Sequence, residues 1–189
     1  VFVVDPTVNL VSRIILADAA NGLTASKAYR DVRGEFLAST DERFRPVNLS
    51  IAPDGTLYVV DMYRGIIQHK GYMTEYLRDY VLTHKLEQPN SYGRIYRIVH
   101  ESTRRDTTPL PMRATPSQLV GVLSHPNGWR RDMAQQLLVE RADKSVVPAL
   151  RKVALSGADV RGRLKAPWVL DALDAIEPAD VMPALSHEN

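Results

Sequence analysis

The 189-residue sequence contains no cysteine. Disulfides, zinc–thiolate sites, iron–sulfur clusters and covalent c-type haem attachment are therefore excluded from this chain. No apolar run reaches the roughly 18 residues that a membrane-spanning helix needs. An excess of one charge is missing too: 24 Lys and Arg face 22 Asp and Glu, a formal net charge of +2. The arginines are spread out, with only short pairs such as Arg104-Arg105 and Arg130-Arg131. Such a balance gives no reason to expect a nucleic-acid partner or an anionic membrane surface. His69, His84, His100, His125 and His187 show no metal-ligand spacing. No Ser-His-Asp set, phosphate loop or metal cluster is visible.

What is present suits a folded protein. The apolar fraction of 44% and the charged fraction of 24% are ordinary for globular chains and allow a core. The sequence opens on Val1-Phe2-Val3-Val4, already strand-like, and closes on Ser186-His187-Glu188-Asn189, where a helix is expected to be under way. It therefore reads as a piece of a longer protein.

Residues 1–100 carry strand signals. Val1–Val4 and Leu10–Leu16 are rich in β-branched residues. The clearest unit is Val47–Ala52, Pro53-Asp54-Gly55-Thr56, then Leu57–Asp61. Val47, Leu49 and Ile51 alternate with smaller or polar residues, the period of a strand. Pro53 presets φ, Asp54 bonds locally and Gly55 accepts positive φ, so an antiparallel hairpin is predicted. Gly93–Val99 alternates again and should join the same sheet. Between them, within 71–89, Met73, Tyr76, Leu77, Tyr80, Val81 and His84 follow helical spacing. About 12 residues of amphipathic helix are predicted there, with this stripe as its packed face and an end before Pro89.

Residues 101–115 are polar, broken by Pro109 and Pro111, and read as a linker. From 116 to 189 the period changes to that of helices. Leu119, Val120 and Leu123 form one group, then Trp129, Met133, Leu137 and Leu138. Val146, Val147, Leu150, Val153 and Ala154 follow, then Trp168, Val169, Leu170, Ala172, Leu173 and Ile176. Val147-Pro148-Ala149-Leu150 recurs as Met182-Pro183-Ala184-Leu185, 35 residues later, each copy preceded by a tryptophan-led helix. Helix pairs at that period predict an α-solenoid, with Trp129 and Trp168 in its core.

The hairpin suggests where chemistry could sit. Residues just before its first strand and just after its second should share one edge: Arg43, Arg45, Asp61, Tyr63 and Arg64. Asp61, Tyr63 and Arg64 are candidate rim residues for a substrate, since convergent loop ends on a rigid scaffold favour small-molecule sites. Arg43 and Arg45 point to opposite sides if extended. They reach a common anion only if the chain turns, which Pro46 would help.

Arg43-Phe44-Arg45-Pro46-Val47, followed by Ala52-Pro53-Asp54-Gly55-Thr56-Leu57-Tyr58-Val59, resembles the final blade of soluble quinoprotein glucose and sorbosone dehydrogenases. The stretch from Glu35-Phe36-Leu37-Ala38-Ser39-Thr40 through Asp61-Met62-Tyr63-Arg64-Gly65 resembles more closely a bacterial group of membrane-bound dehydrogenases. Gln88-Pro89-Asn90-Ser91-Tyr92-Gly93-Arg94-Ile95-Tyr96 fits that group's closing strand. The resemblance covers about residues 1–100, and the helical half matches only the general HEAT pattern. It implies β + α in two domains: the last blade or two of a β-propeller, as antiparallel sheet, then HEAT-like repeats. It also implies an exported, periplasmic parent oxidising a sugar or alcohol with pyrroloquinoline quinone. Arg43 and Arg45 match the cofactor-binding Arg-aromatic-Arg motif, and guanidinium suits the cofactor's carboxylates. The family's histidine base and calcium ligands lie in earlier blades, so no catalytic residue is assigned and the fragment alone should be inactive. The family's cofactor-contacting lysine would fall near Thr7-Val8-Asn9, where there is none. Haem would belong to a further domain, and a cytochrome or protein could meet the helical repeats. Two other readings stand beside this one. The first is a non-catalytic propeller–solenoid platform for protein or polysaccharide. The second is a sugar-lactone hydrolase, which needs metal-binding Glu, Asn and Asp residues that this sequence does not supply.

Overall fold

A computed structural model describes residues 1–20 and 22–185. The helix expected at 186–189, and His187 with it, lie outside those residues. The chain is mixed α/β, with two antiparallel sheets and six α-helices among the described residues. It divides into two compact units: Val1–Ser50 with Thr56–Thr103, and Ile51–Gly55 with Arg104–Asn189.

The first unit begins with β1 (Phe2–Asp5), β2 (Leu10–Ala19), β3 (Gly22–Lys27) and β4 (Leu37–Ala38). β2 is long enough to serve three partners. Its first half pairs with β1 (Val4 opposite Val11) and with β4 (Val11 opposite Leu37). Its second half pairs with β3 (Leu16 opposite Ala25). Val11, at the crossing of these pairings, is fully buried. β3 was not expected from sequence. Leu23-Thr24-Ala25-Ser26 lacks a β-branched run, and the strand is held by backbone pairing while exposed throughout.

The second sheet has the order β5 (Pro46–Ile51), β6 (Leu57–Asp61), β7 (Arg94–Ile98). The hairpin and the later strand follow the predicted pattern, with β5 one residue earlier than expected. Gly55 closes the turn at φ 85°, its amide donating to Ala52 O at 3.0 Å.

Between β6 and β7 runs α1 (Glu75–Thr83), capped by the Thr74 side chain accepting from the Leu77 amide. The predicted stripe splits into two rows. Val81 is buried, and Met73 and Leu77 are half-buried beside it. Tyr76 and His84 are exposed, contrary to expectation. Tyr76 stands about 100° around the helix from Leu77 and so leaves the buried side, and His84 lies past the last residue of α1, at its C-cap.

The second unit holds α2 (Pro116–Val122), α3 (Gly128–Arg141), α4 (Val147–Ser156), α5 (Val160–Ala172) and α6 (Pro178–Leu185). Leu119, Leu123, Leu138, Leu150, Val169 and Leu170 are among its core. Thr115 and Gln118 form a reciprocal capping box at the start of α2. The segment read as a linker is held by α3. Buried Arg130 donates to Thr108 O at 2.6 Å, Pro109 O at 3.0 Å and Pro53 O at 3.2 Å, and its Nε lies 2.9 Å from Asp106 Oδ2.

The helices correspond at a spacing other than the one the sequence motif suggests. α3 and α5 start 32 residues apart, at Gly128 and Val160, and α4 and α6 start 31 apart, at Val147 and Pro178. Buried Arg130, Ala134, Leu137 and Leu138 then align with buried Gly162, Ala166, Val169 and Leu170. The N-caps Asn127 and Asp159 align as well, each accepting from the amide two residues on. The 35-residue motif is not equivalent in the two copies: Pro148 lies at the start of α4, whereas Pro183 lies inside α6. Trp168 is correspondingly not core. It is exposed on α5, and Trp129 is half-buried. Among the described residues no helix is long and apolar enough to cross a membrane.

Candidate functional site: the Arg45 cleft

All five site residues read from the sequence lie in the first unit, around the open end of the β5–β6 hairpin. Met62 N donates to Arg45 O at 2.9 Å, so the chain before β5 and the chain after β6 do run side by side. Asp61 fastens them. Its Oδ1 accepts from the Arg45 and Tyr63 amides, each at 2.8 Å. Asp61 is 1% exposed, so it is a buried tie rather than a rim residue. Tyr63 adopts φ 49° and its ring lies under Arg94, whose guanidinium carbon is 3.7 Å from the ring centroid. Arg64 is exposed and donates to Asn90 Oδ1 at 2.9 Å.

Arg43 and Arg45 go separate ways about buried Phe44. Arg43 reaches the loop after α1, with Nε and Nη2 donating to Gln88 O and Nη2 to Lys85 O. Arg45 clamps two segments. Its Nε donates to Arg64 O (2.9 Å), Nη2 to Gly65 O (2.8 Å), and Nη1 to Pro6 O (2.6 Å) and Thr7 O (3.2 Å). Burial pulls the Arg45 pKa down, and the Glu42 charge partly offsets this. The two guanidinium groups do not converge on a common anion.

Arg45 nevertheless forms one wall of a cleft of about 220 Å³, with Thr7, Asn9, Glu42, Gln68 and Tyr80 among its polar lining and Leu77, Val81 and Leu86 as its apolar floor. Tyr80 Oη donates to Glu42 Oε1 at 2.5 Å, and this bond raises the phenol pKa, so the hydroxyl stays protonated. Asn9, at φ 60°, donates to Phe44 O at 2.5 Å and Glu42 O at 3.4 Å. Gly65 is required at the cleft edge because a β-carbon there would overlap the Leu86 backbone. None of Glu42, Tyr80, Asn9 and Gln68 is a site residue on the sequence reading, which places Tyr80 in the helix stripe and Asn9 only where the related family has its lysine. Only Asn9, a residue type that tolerates left-handed backbone, left even a faint local signal.

The cleft does not fit pyrroloquinoline quinone as the residues stand. Arg45 is engaged by four carbonyl oxygens and Arg43 by two, while the Glu42 carboxylate would repel a tricarboxylate. The volume also falls below the roughly 300–1,000 Å³ of pockets that enclose larger ligands. No group of three or more His, Asp or Glu among the described residues is placed to hold a metal ion.

The family model described as Domain of unknown function (DUF7133) matches residues 1–102, and the chain belongs to that family. No curated protein and no solved structure matches the chain.

Proposed function

We propose that this chain is a binding module whose first unit holds a small, uncharged, polyhydroxylated ligand in the Arg45 cleft. The chemistry of the lining carries this reading. Arg45 is engaged by carbonyls, so the wall offers acceptors at Glu42, a phenol at Tyr80 and an amide at Gln68. Alternating donors and acceptors over an apolar floor suit hydroxyl groups on carbon better than a polyanion. In the finer architecture, the two sheets are blades of a β-propeller and the helices are HEAT-like repeats. The consecutive antiparallel sheets and the matched burial at a 31- to 32-residue spacing support it. The repeats would then serve as a protein-binding scaffold.

The test is a titration of the amide-labelled chain with glucose and sorbitol, followed by NMR. Shifts should cluster at Thr7, Gln68 and Tyr80, and Glu42→Gln should weaken binding by about tenfold, or 1.4 kcal/mol. Shifts scattered over the surface, or an unaltered affinity in Glu42→Gln, would reject the cleft.

A second reading is that the parent is a periplasmic, quinone-dependent sugar or alcohol dehydrogenase that passes electrons to a cytochrome. One observation favours it: Arg45 Nη1 meets Pro6 and Thr7, so two segments that the resemblance assigns to cofactor contact share a wall. It requires Arg43 and Arg45 to leave their carbonyls. Pyrroloquinoline quinone binding by the full-length parent that is unchanged in Arg43→Ala and Arg45→Ala would remove it.

A further inference from the structure

The outer row of α1 is the most unusual surface of the first unit. Tyr76, Tyr80 and His84 recur at steps of four residues along α1 and its C-cap, and Tyr72 precedes them in the 3-10 turn at Lys70–Tyr72, set off by extended Met73 and Thr74. The rings of Tyr76, Tyr80 and His84 form a ladder: Tyr76 and Tyr80 centroids are 6.4 Å apart, and Tyr80 and His84 stack at 4.0 Å. Tyr72 also meets His69 edge-on at 5.9 Å. Tyr72 is 85% exposed and Tyr76 78% exposed. Leu77 and Val81 already supply the helix with its packed face, so the Tyr76 ring is not needed to bury it. Tyrosine is ordinarily at least partly buried, and large rings left this open mark a contact surface.

We propose that this ladder is a stacking platform for an oligosaccharide chain, continuous with the Arg45 cleft. The proposal rests on the polyol reading of that cleft and extends its ligand from one small molecule to a sugar chain. The continuity is Tyr80. Its hydroxyl is inside the cleft on Glu42, while its ring belongs to the ladder. A pyranose ring has the complementary anatomy, with carbon-bound hydrogens on its faces and hydroxyls around its edge. The ring faces of Tyr72 and Tyr76 would take the former, and the polar cleft lining the latter. An aromatic body with a polar tip offers both kinds of contact to a ligand that is neither fully apolar nor charged.

Calorimetry of the 189-residue chain with cellohexaose, xylohexaose and maltohexaose, and with glucose and xylose, tests this directly. At least one hexaose should bind about tenfold more tightly than its own monosaccharide. Tyr72→Ala and Tyr76→Ala should each weaken the hexaose by about fivefold, one ring contact, and leave the monosaccharide unchanged. Tyr76→Phe should keep the affinity, which separates stacking from hydrogen bonding. Both tyrosines are exposed, so circular dichroism should report an unaltered fold. A hexaose that binds no better than its monosaccharide, or that is indifferent to Tyr76→Ala, overturns the platform while the cleft reading stands. Tyrosine-dependent hexaose binding without any monosaccharide response removes the cleft reading, and overturns the continuity of the platform with the cleft. If no hexaose binds and sedimentation shows Tyr76-dependent self-association, the rings belong to a second copy and the proposal is overturned.

Discussion

At the residue scale, arginine acts here mainly through planar donors aimed at main-chain carbonyls. Arg45 ties Pro6 and Thr7 to Arg64 and Gly65, and the cleft wall exists because of that tie. Gly65 makes the close approach sterically possible. Gly65→Ala should cost about 1–3 kcal/mol, as an overpacked core site does, because the obstacle is the Leu86 backbone rather than a side chain that could swing away. A urea midpoint shift at constant slope measures it, and a neutral outcome would show that the loop after α1 yields freely to the added methyl group. Asp106 offers a pH test in the other unit. The Thr108 hydroxyl and amide, and then the charge of Arg130 and His125, hold its pKa below the usual carboxylate value. A group depressed in the folded state contributes stability that is complete above its unfolded pKa of about 3.9 and is lost as pH falls through the folded value. Asp106→Asn should therefore lower stability at pH 7 and make its loss between about pH 5 and pH 2 shallower than in the native chain. Parallel stability–pH curves from thermal melts would contradict this.

At the scale of elements, the helical repeat shows how a sequence motif and a structural repeat can fall out of step. Recurrent letters at Val147–Leu150 and Met182–Leu185 suggested one register. The helices instead repeat by what each turn must bury and by where the N-cap falls. Gly162 is the most informative position in that register. It aligns with Arg130 and lets α5 approach Ser124, whose Oγ a methyl at 162 would overlap. Alanine normally improves a helix interior by about 1 kcal/mol over glycine. At 162 that gain is offset by the cost of turning the Ser124 hydroxyl away, so Gly162→Ala alone should change stability by less than about 1 kcal/mol. With the hydroxyl removed, Gly162→Ala in a Ser124→Ala background should stabilise by up to about 1 kcal/mol in chemical denaturation. An equal gain from Gly162→Ala with Ser124 in place would contradict the close approach of α5 to Ser124. Strong local signals were legible in sequence: the Pro53-Asp54-Gly55 turn, the alternation in β5 and β7, and the helices around Leu119, Leu138, Leu150 and Leu170. Exposure within a stripe was not legible, because Tyr76 and Trp168 are apolar enough to be read as core whichever way their helices are rotated. β3 was not legible because its backbone pairing with β2 leaves no mark on side-chain pattern. The cleft was least legible of all. Glu42, Gln68 and Tyr80 are far apart in the chain and meet only through the Arg45 clamp and the excursion carrying α1.

At the scale of the whole molecule, each unit buries side chains of its own: Val11, Phe44, Val59 and Val81 in the first, and a packed cluster around Leu119, Leu138, Leu150 and Leu170 in the second. The family match ends at residue 102, at the border of the first unit, so the binding chemistry proposed above belongs to a part with its own packing. Separate burial implies separate cooperative openings, because a cavity disturbs the side chains that line it far more than those of another unit. Leu170 is fully exposed to this test, being wholly buried in its unit. Leu170→Ala should cost about 2–5 kcal/mol. Native-state hydrogen exchange should report that loss in α2 to α5, while the amides of β5, β6 and β7 keep their protection. The converse change, Val59→Ala, should loosen β5–β6–β7 and leave Leu138 and Leu150 amides as they were. Uniform loss of protection along the chain in either variant would mean that the two units unfold as one, and the cleft could not then be treated as the property of the first unit alone.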